Sequence, residues 1–226
     1  MRPPGNVGTA EYVASVQLTR KRIIAVAMDL IERDGVEFLS MHRVATELGC
    51  GVVSLYNYVS STSALLDGVA DAVMSGMELP SPRGGNWPEQ IRAQARAFRA
   101  MARAHPRCTL VLMSRPPSSA GMLRPVELAL ATLRGAGFGA QDAVLIVRAL
   151  VAYVIGSLLS EIGIAPGLDA DDAEAHRLRL RPGEFPHLTA LADELTGRNP
   201  DTDFEFGLDL LVHSVAAIQL AHSADS

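Results

Sequence analysis

The spacing of apolar residues is the feature that most restricts how this chain can fold. From residue 18 onward, apolar side chains recur every three or four positions, as at Ile23, Ala27 and Leu30, and no segment alternates strictly like a strand. Clusters of glycine, proline and serine interrupt this pattern and mark turns. The sequence therefore predicts an all-α fold of about nine or ten helices.

Composition sets the class of protein. The chain has 226 residues, of which 48% are hydrophobic and 20% charged, enough to bury a core and too few charges for general disorder. The longest apolar stretch, 149–159, is about half of what spans a bilayer, and the N-terminus lacks the apolar core of a signal peptide. We therefore expect a cytoplasmic protein without a membrane partner.

No pattern of catalytic or metal-binding residues stands out. The six histidines are scattered without an HExxH motif, and neither a GxSxG motif nor a phosphate-binding loop is present. Cys50 and Cys108 form no CxxC pair, which favours two reduced thiols over a redox switch. We therefore expect no enzyme activity, no metal and no cofactor.

Turn signals divide the chain into three parts. Residues 1–17 are predicted to be a flexible tail, 18–66 a three-helix domain, and 67–226 a larger helical domain. A linker rich in proline and glycine covers 80–88, and an acidic, mobile segment is expected at 166–182. The helices predicted beyond the linker are 89–104, 108–113, 121–134, 141–162, 185–195 and 204–221.

The segment 40–58 has the layout of a helix-turn-helix. Ser40 can cap a helix that ends at Gly49, and a short turn through Gly51 leads into a helix predicted over 52–58. In such motifs the second helix enters the major groove of DNA. Residues 1–60 contain six basic and six acidic residues, so this head has no net positive charge to attract phosphates. DNA affinity would have to come from locally placed groups and from two heads in a dimer.

The order of residues strengthens this interpretation. The motifs RVATELG at 43–49, LYNYV at 55–59 and SSTSALL at 60–66 resemble the TetR family of transcriptional regulators. Further matches in the same order resemble its tetracycline-repressor branch: NW at 86–87, AFR at 97–99, SRP at 114–116, GF at 137–138, YVIG at 153–156 and FGLDL at 206–210. The resemblance covers roughly 18–221.

The resemblance implies a ligand-responsive repressor that binds a palindromic operator in double-stranded DNA as a homodimer. The helices at 141–162 and 204–221 would form a four-helix bundle across the dimer axis, and a small-molecule effector would move the fourth helix. The residues that it places at the DNA are His42, Arg43, Gly51, Val52, Val53, Ser54, Tyr56, Asn57, Tyr58 and Thr62.

These residues differ in what they can contribute. Asn57 can pair with adenine, and Arg43 with guanine or phosphate. At the position of Thr62, family members usually have a lysine that contacts phosphate, so one expected charge is missing here. Packing between helices is the alternative for Tyr56 and Tyr58.

The ligand site is predicted in the larger domain. The candidates, any of which could instead belong to the core, are Glu78, Gln94, Phe98, Met101, Leu112, Arg115, Pro116, Val126, Leu130, Tyr153 and Ser157.

The chain departs from the magnesium-dependent drug site of the tetracycline repressor. Leu112 stands where the resemblance expects a metal-binding histidine, Ser160 beside Glu161 where it expects a glutamate, and Glu78 where a histidine contacts the drug. We therefore expect a mainly apolar ligand, oriented by Gln94, Arg115 or Tyr153. The alternative function is a helical dimer that binds a small molecule without reading DNA.

Overall fold

The computed structural model describes residues 18–81, 86–161, 185–197 and 199–224. Within these residues the protein consists of α-helices and one short 3-10 helix, Val36–Phe38, connected by loops, and no strand is present. The α-helices, numbered in chain order, are α1 Arg20–Asp34, α2 Met41–Leu48, α3 Val52–Tyr56, α4 Thr62–Ser75, α5 Trp87–Ala104, α6 Pro106–Met113, α7 Ala120–Gly135, α8 Ala140–Glu161, α9 Pro186–Ala190, α10 Ala192–Thr196 and α11 Pro200–Ala224.

Local capping positions the first helices. The hydroxyls of Thr19, Ser40 and Ser61 accept hydrogen bonds from backbone amides in the first turns of α1, α2 and α4. Gly49 ends α2 with a φ of 65°, the left-handed conformation that glycine adopts at little cost. The chain therefore turns sharply between α2 and α3, as the sequence predicts.

The head, defined as α1–α3, encloses its own apolar centre. Leu55 is the buried residue of α3 and packs with Val44 of α2 and Ile31 of α1 in one cluster. The same cluster continues through Val69 of α4 to Cys108 of α6. The head is therefore joined to the remainder of the molecule through α4, which runs unbroken across the boundary predicted at residue 66, and through direct contact between α1 and α6.

The body, defined as α5–α8 and α11, has a second core. Phe204 of α11, Leu133 of α7 and Val147 of α8 are buried together in it. The long α8 packs against α5, α7 and α11. Helix α5 contacts α6, α7, α8 and α11, and so lies at the centre of the body.

A row of arginines joins α5 to α11. These residues lie three or four positions apart, so they project from one face of α5, and their carboxylate partners repeat every four residues on α11. The ion pairs are Arg92–Asp209, Arg96–Glu205, Arg99–Asp201 and Arg103–Asp201.

Arg99 is the buried member of this row. Its guanidinium donates to Glu161 Oε1 at 2.7 Å and to the Pro200 carbonyl at 2.9 Å, and it lies 4.5 Å from the centre of the Phe204 ring. One side chain therefore ties the end of α8 and the start of α11 to α5.

Helix α8 is, among the helices of the described ranges, the one long and apolar enough to cross a membrane by length and composition. Counted as uninterrupted apolar runs, no segment of the sequence is long enough to do so. Helix α8 is longer than any such run because it also contains Asp142 and Arg148. Its inner face belongs to the body core, whereas Leu145 and Val151 are exposed.

Several predicted boundaries shift. Helix α3 ends at Tyr56 and not at Tyr58, and α5 begins at Trp87, inside the predicted linker, because Asn86 and Glu89 form a capping box. The helix predicted at 185–195 is two short helices, α9 and α10, separated at Leu191. The predicted tail at 1–17 and the acidic segment at 166–182 lie outside the described residues.

Candidate functional site

The second helix of the helix-turn-helix presents its outer face to solvent. Val53 is 80% exposed, Tyr56 51% and Tyr58 43%, while Leu55 between them is fully buried. Ser54 and Asn57 are exposed on the same short segment. The two tyrosines thus lie at the surface and not between helices, so their hydroxyls are available to a partner.

Three predicted DNA residues are less available. Val52 and Thr62 are half-buried, and Val52 packs against the core beneath the head. Arg43 forms an ion pair with Asp34 and donates to the Phe38 carbonyl at 3.2 Å. Hydrogen bonds from Arg33 and Arg43 hold the pKa of Asp34 below its usual value, so this carboxylate stays charged. His42 and Gly51 are exposed.

A cavity of about 250 Å³ lies inside the body, between α4, α5, α6, α7 and α8. Its wall consists almost entirely of methionine, leucine, valine, isoleucine and proline side chains. The polar exceptions are Gln94, which is 8% exposed, and Arg115. Such a cavity suits an apolar molecule that makes few, specific polar contacts.

Five of the predicted ligand residues line this cavity: Gln94, Phe98, Leu112, Arg115 and Val126.

The other six lie outside the cavity wall. Glu78 and Pro116 are exposed, and Met101 is buried in the cluster beneath the head. Leu130 packs against the body core, and Ser157 is half-buried on α8.

Tyr153 is the sixth predicted ligand residue outside the cavity wall, and its hydroxyl is hydrogen-bonded to α11. It donates to the Phe204 carbonyl at 2.7 Å, and its ring stacks on that of Phe204. Burial raises the pKa of the Tyr153 hydroxyl, which therefore stays a donor at neutral pH.

Other wall residues were not among the predicted site. They share a helix face with a predicted neighbour, but periodicity cannot separate a cavity wall from a core. They are Met74, Met77, Ile91, Ala95, Met113, Pro117, Met122, Pro125, Ala129, Val147, Leu150, Val151, Val154 and Ile155.

Arg115 connects the cavity to α4. Its Nε donates to Asp67 Oδ1 at 2.7 Å, and its Nη2 donates to the Ser63 carbonyl at 2.9 Å. At the other end of the same loop, the Ser119 hydroxyl hydrogen-bonds to Asp71. The loop between α6 and α7 therefore forms part of the cavity wall and is bonded at both ends to α4, the helix that follows the head.

Two of the positions that differ from the magnesium site of the tetracycline repressor can now be located. Leu112 presents an apolar side chain to the cavity, while Glu161 is engaged by Arg99 away from it. In the part of the chain that the structure describes, no three histidine, cysteine or acidic residues are grouped so as to hold a metal ion.

Burial raises the pKa of the Cys108 thiol, whose sulfur lies against the Met28 carbonyl.

A helix-turn-helix head packed against α4 and α6, beside an apolar cavity in the body, defines a class of DNA-binding regulators that respond to small molecules. Comparison with known proteins agrees. The profile of the family described as "Tetracyclin repressor-like, C-terminal domain" matches residues 79–218. The chain belongs to this family, the TetR family of transcriptional regulators, which are not enzymes.

Individual relatives extend the match over the head. The chain is 33% identical to an HTH-type transcriptional regulator of Saccharopolyspora erythraea, over 88% of this chain and 85% of the relative. It is 31% identical to the HTH-type transcriptional repressor DrrR1 of Streptomyces coeruleorubidus, over 92% and 81%. The structure of the Streptomyces coelicolor TetR family protein ActR in complex with actinorhodin superposes with a TM-score of 0.76 at 30% identity, over 89% and 98%.

Proposed function

We propose that this regulator is a repressor that binds a palindromic operator as a homodimer and leaves it when a mainly apolar small molecule enters the body cavity. The observation that carries the proposal is the loop between α6 and α7. Arg115 lines the cavity and also bonds to Asp67 of α4, so a ligand that displaces Arg115 acts on the helix that carries the head. Such a protein would act in the cytoplasm, where its DNA is.

The surface of α3 supports operator recognition. Asn57 offers an amide that can pair with adenine, Tyr56 a hydroxyl for phosphate, and Val53 a methyl surface for thymine. Arg43 is held in an ion pair with Asp34, so we assign to Arg43 the role of positioning α2 and not that of contacting bases. With so little positive charge, a single head would bind weakly, and two heads are needed.

The outer faces of α8 and α11 support the homodimer. Phe206 is 72% exposed, Leu210 59% and Leu145 52%, which is unusual for large apolar side chains on neighbouring helices. A second copy would cover them. The variant Leu210→Glu should shift the protein from dimer to monomer in analytical ultracentrifugation, while Glu127→Lys, on the exposed side of α7, should leave the dimer intact.

Operator recognition is tested by selecting sequences from random double-stranded DNA with the full chain, followed by footprinting. We expect an inverted repeat. Asn57→Ala should weaken binding to it by roughly five- to hundredfold, the value of about 1–3 kcal/mol for a bidentate base contact. The control Glu127→Ala should bind like the unmodified protein. Weak binding without sequence preference, abolished by salt, would instead favour a ligand-binding dimer that does not read DNA.

Coupling between cavity and operator is tested with Asp67→Asn, which keeps the shape of the side chain but removes its charge. We expect this variant to bind ligand with similar affinity and to release operator less completely. Asp71 and Ser119 provide a second connection, so Asp67→Asn with Ser119→Ala should release least. Normal ligand-induced release in the double variant would show that this loop does not transmit the signal.

A further inference from the structure

A second cavity lies beside the first, between α5 and α7. It has a volume of about 460 Å³ and is bordered by Trp87 and Gln90 of α5 and by Thr132 of α7. Ala131 and Gly135, also in its wall, are exposed, so the cavity reaches the surface. Its lining includes an indole, an amide and a hydroxyl, in contrast to the almost wholly apolar first cavity.

Hydrogen bonds connect the walls of the two cavities through a polar seam of three side chains, Gln94, Thr132 and Gln90. Gln94 lines the first cavity and donates from Nε2 to Thr132 Oγ1 at 3.4 Å. Thr132 and Gln90 line the second cavity, where the Thr132 hydroxyl lies 3.2 Å from Gln90 Oε1. Gln94 is a buried amide in an otherwise apolar surrounding, so the seam places hydrogen-bonding groups between the walls of the two cavities.

The seam can exchange its hydrogen bonds with a ligand. Thr132 also lies 2.9 Å from the Leu128 carbonyl, and its single hydroxyl hydrogen can serve Leu128 or Gln90 but not both at once. The contact between Gln94 and Thr132 is at the long end of hydrogen-bond distances. A ligand hydroxyl placed here can replace these bonds without leaving a buried polar group unpaired, which an apolar ligand cannot do.

We propose that the second cavity is a subsite for a hydroxylated ring attached to the apolar ligand of the first cavity. The effector class is then an apolar group carrying a hydroxyl-rich substituent such as a sugar. Trp87 contributes apolar surface to the wall, its indole N–H donating to Gln219, and Gln90 and Thr132 offer the hydroxyls of such a ring hydrogen bonds. This inference rests on the proposed function, because it extends the same ligand site.

The test compares two fluorescent compounds that differ only in the sugar, 4-methylumbelliferone and its β-D-glucoside, with the full chain. We expect the glucoside to bind about five- to tenfold more tightly, as one or two new hydrogen bonds allow. Equal affinity, or no binding of the glucoside up to about 1 mM, overturns the proposal.

Three variants of α7 locate the effect. Ala131→Phe fills the second cavity from its rim, and Thr132→Val removes the hydroxyl of the seam while keeping its shape. Both should abolish the advantage of the glucoside over methylumbelliferone, and Ala131→Phe, which lies outside the seam, should leave the affinity for methylumbelliferone itself unchanged. The matched control Glu127→Phe, at a position that borders neither cavity, should change neither affinity. If Ala131→Phe and Thr132→Val leave the preference for the glucoside intact, the subsite is refuted.

One further variant separates failure of the subsite from failure of the ligand site itself. Val126→Trp narrows only the first cavity. If methylumbelliferone binding is lost in this variant while the glucoside has no advantage in the unmodified protein, the first cavity holds ligand and only the second subsite is refuted. If methylumbelliferone binding persists, the proposed ligand site fails as well. Circular dichroism confirms that each variant keeps its helices.

Discussion

The head and the body of this protein are held together in different ways. In the head, the hydroxyls of Thr19 and Ser40 bond to amides three residues further along the chain, and Gly35 and Gly49 end α1 and α2. In the body, the decisive contacts join residues far apart in the sequence, such as Arg99 with Glu161 and Arg92 with Asp209.

The difference has a functional consequence. We expect a reading surface built from local signals to depend less on the body than a cavity whose walls come from five helices. The head thus has locally capped helices and the body has walls from distant segments, and α4 and the contact between α1 and α6 connect the two.

The largest effect should come from Phe204→Ala. The ring is fully buried, stacked on Tyr153 and covered by Arg99, so its loss should reduce the free energy of unfolding by about 3–5 kcal/mol in urea titrations. Leu55→Ala is the matched change in the head and should cost about 2–5 kcal/mol. If only the Phe204 variant loses body structure while α1–α3 stay protected from hydrogen exchange, the two regions are separable. Simultaneous loss of both would show one cooperative unit.

Arg99→Met should cost about 3 kcal/mol, because it leaves the buried Glu161 carboxylate without its closest cation. The double variant Arg99→Met with Glu161→Leu should recover part of that loss, since no buried charge remains. Thermal and urea unfolding of the two variants measure this directly. A double variant less stable than Arg99→Met alone would show that Glu161 stabilises the body through other contacts.

In the head, Ser40→Ala and Ser61→Ala should each cost about 1 kcal/mol, the usual value of an N-cap. Ser54→Ala, at an exposed position of α3, is the control and should leave the free energy of unfolding unchanged. Because caps act locally, the two losses should add. Marked non-additivity would mean that the head depends on tertiary contacts as much as the body does.

The smallest effect concerns pH. The hydrogen bond from Arg96 holds the pKa of Glu205 below its ordinary value of 4.5, so the pair stabilises the body at neutral pH and loses that contribution as the pH falls through the lowered pKa. Both side chains are partly solvent-exposed, which limits the gain to less than about 1 kcal/mol. Glu205→Gln should therefore be slightly less stable than the unmodified protein at pH 7, and the gap should close in acid. A gap that widens in acid would contradict this.

Prediction from sequence succeeded where the signal was local. The all-α fold, the cap of α2 and the turn at Gly49 were confirmed, and the motifs around α3 identified the family. It was less accurate for the short helices α9 and α10, where one periodic segment is broken at Leu191. The predicted ligand residues divided almost evenly between the cavity wall and other positions. Helical period shows which residues share a face but not what lies opposite that face.

The sequence by itself thus determined most of the helices of the described ranges, the neutral reading head and membership of the TetR family. Only the tertiary structure decided that Arg43 is bound to Asp34, that the Tyr153 hydroxyl is bonded to α11, and that Arg115 joins the cavity to α4. The physical reason is the range of the interactions. Caps and periodicity act within a few residues, whereas a cavity wall or an ion pair exists only once distant helices have packed.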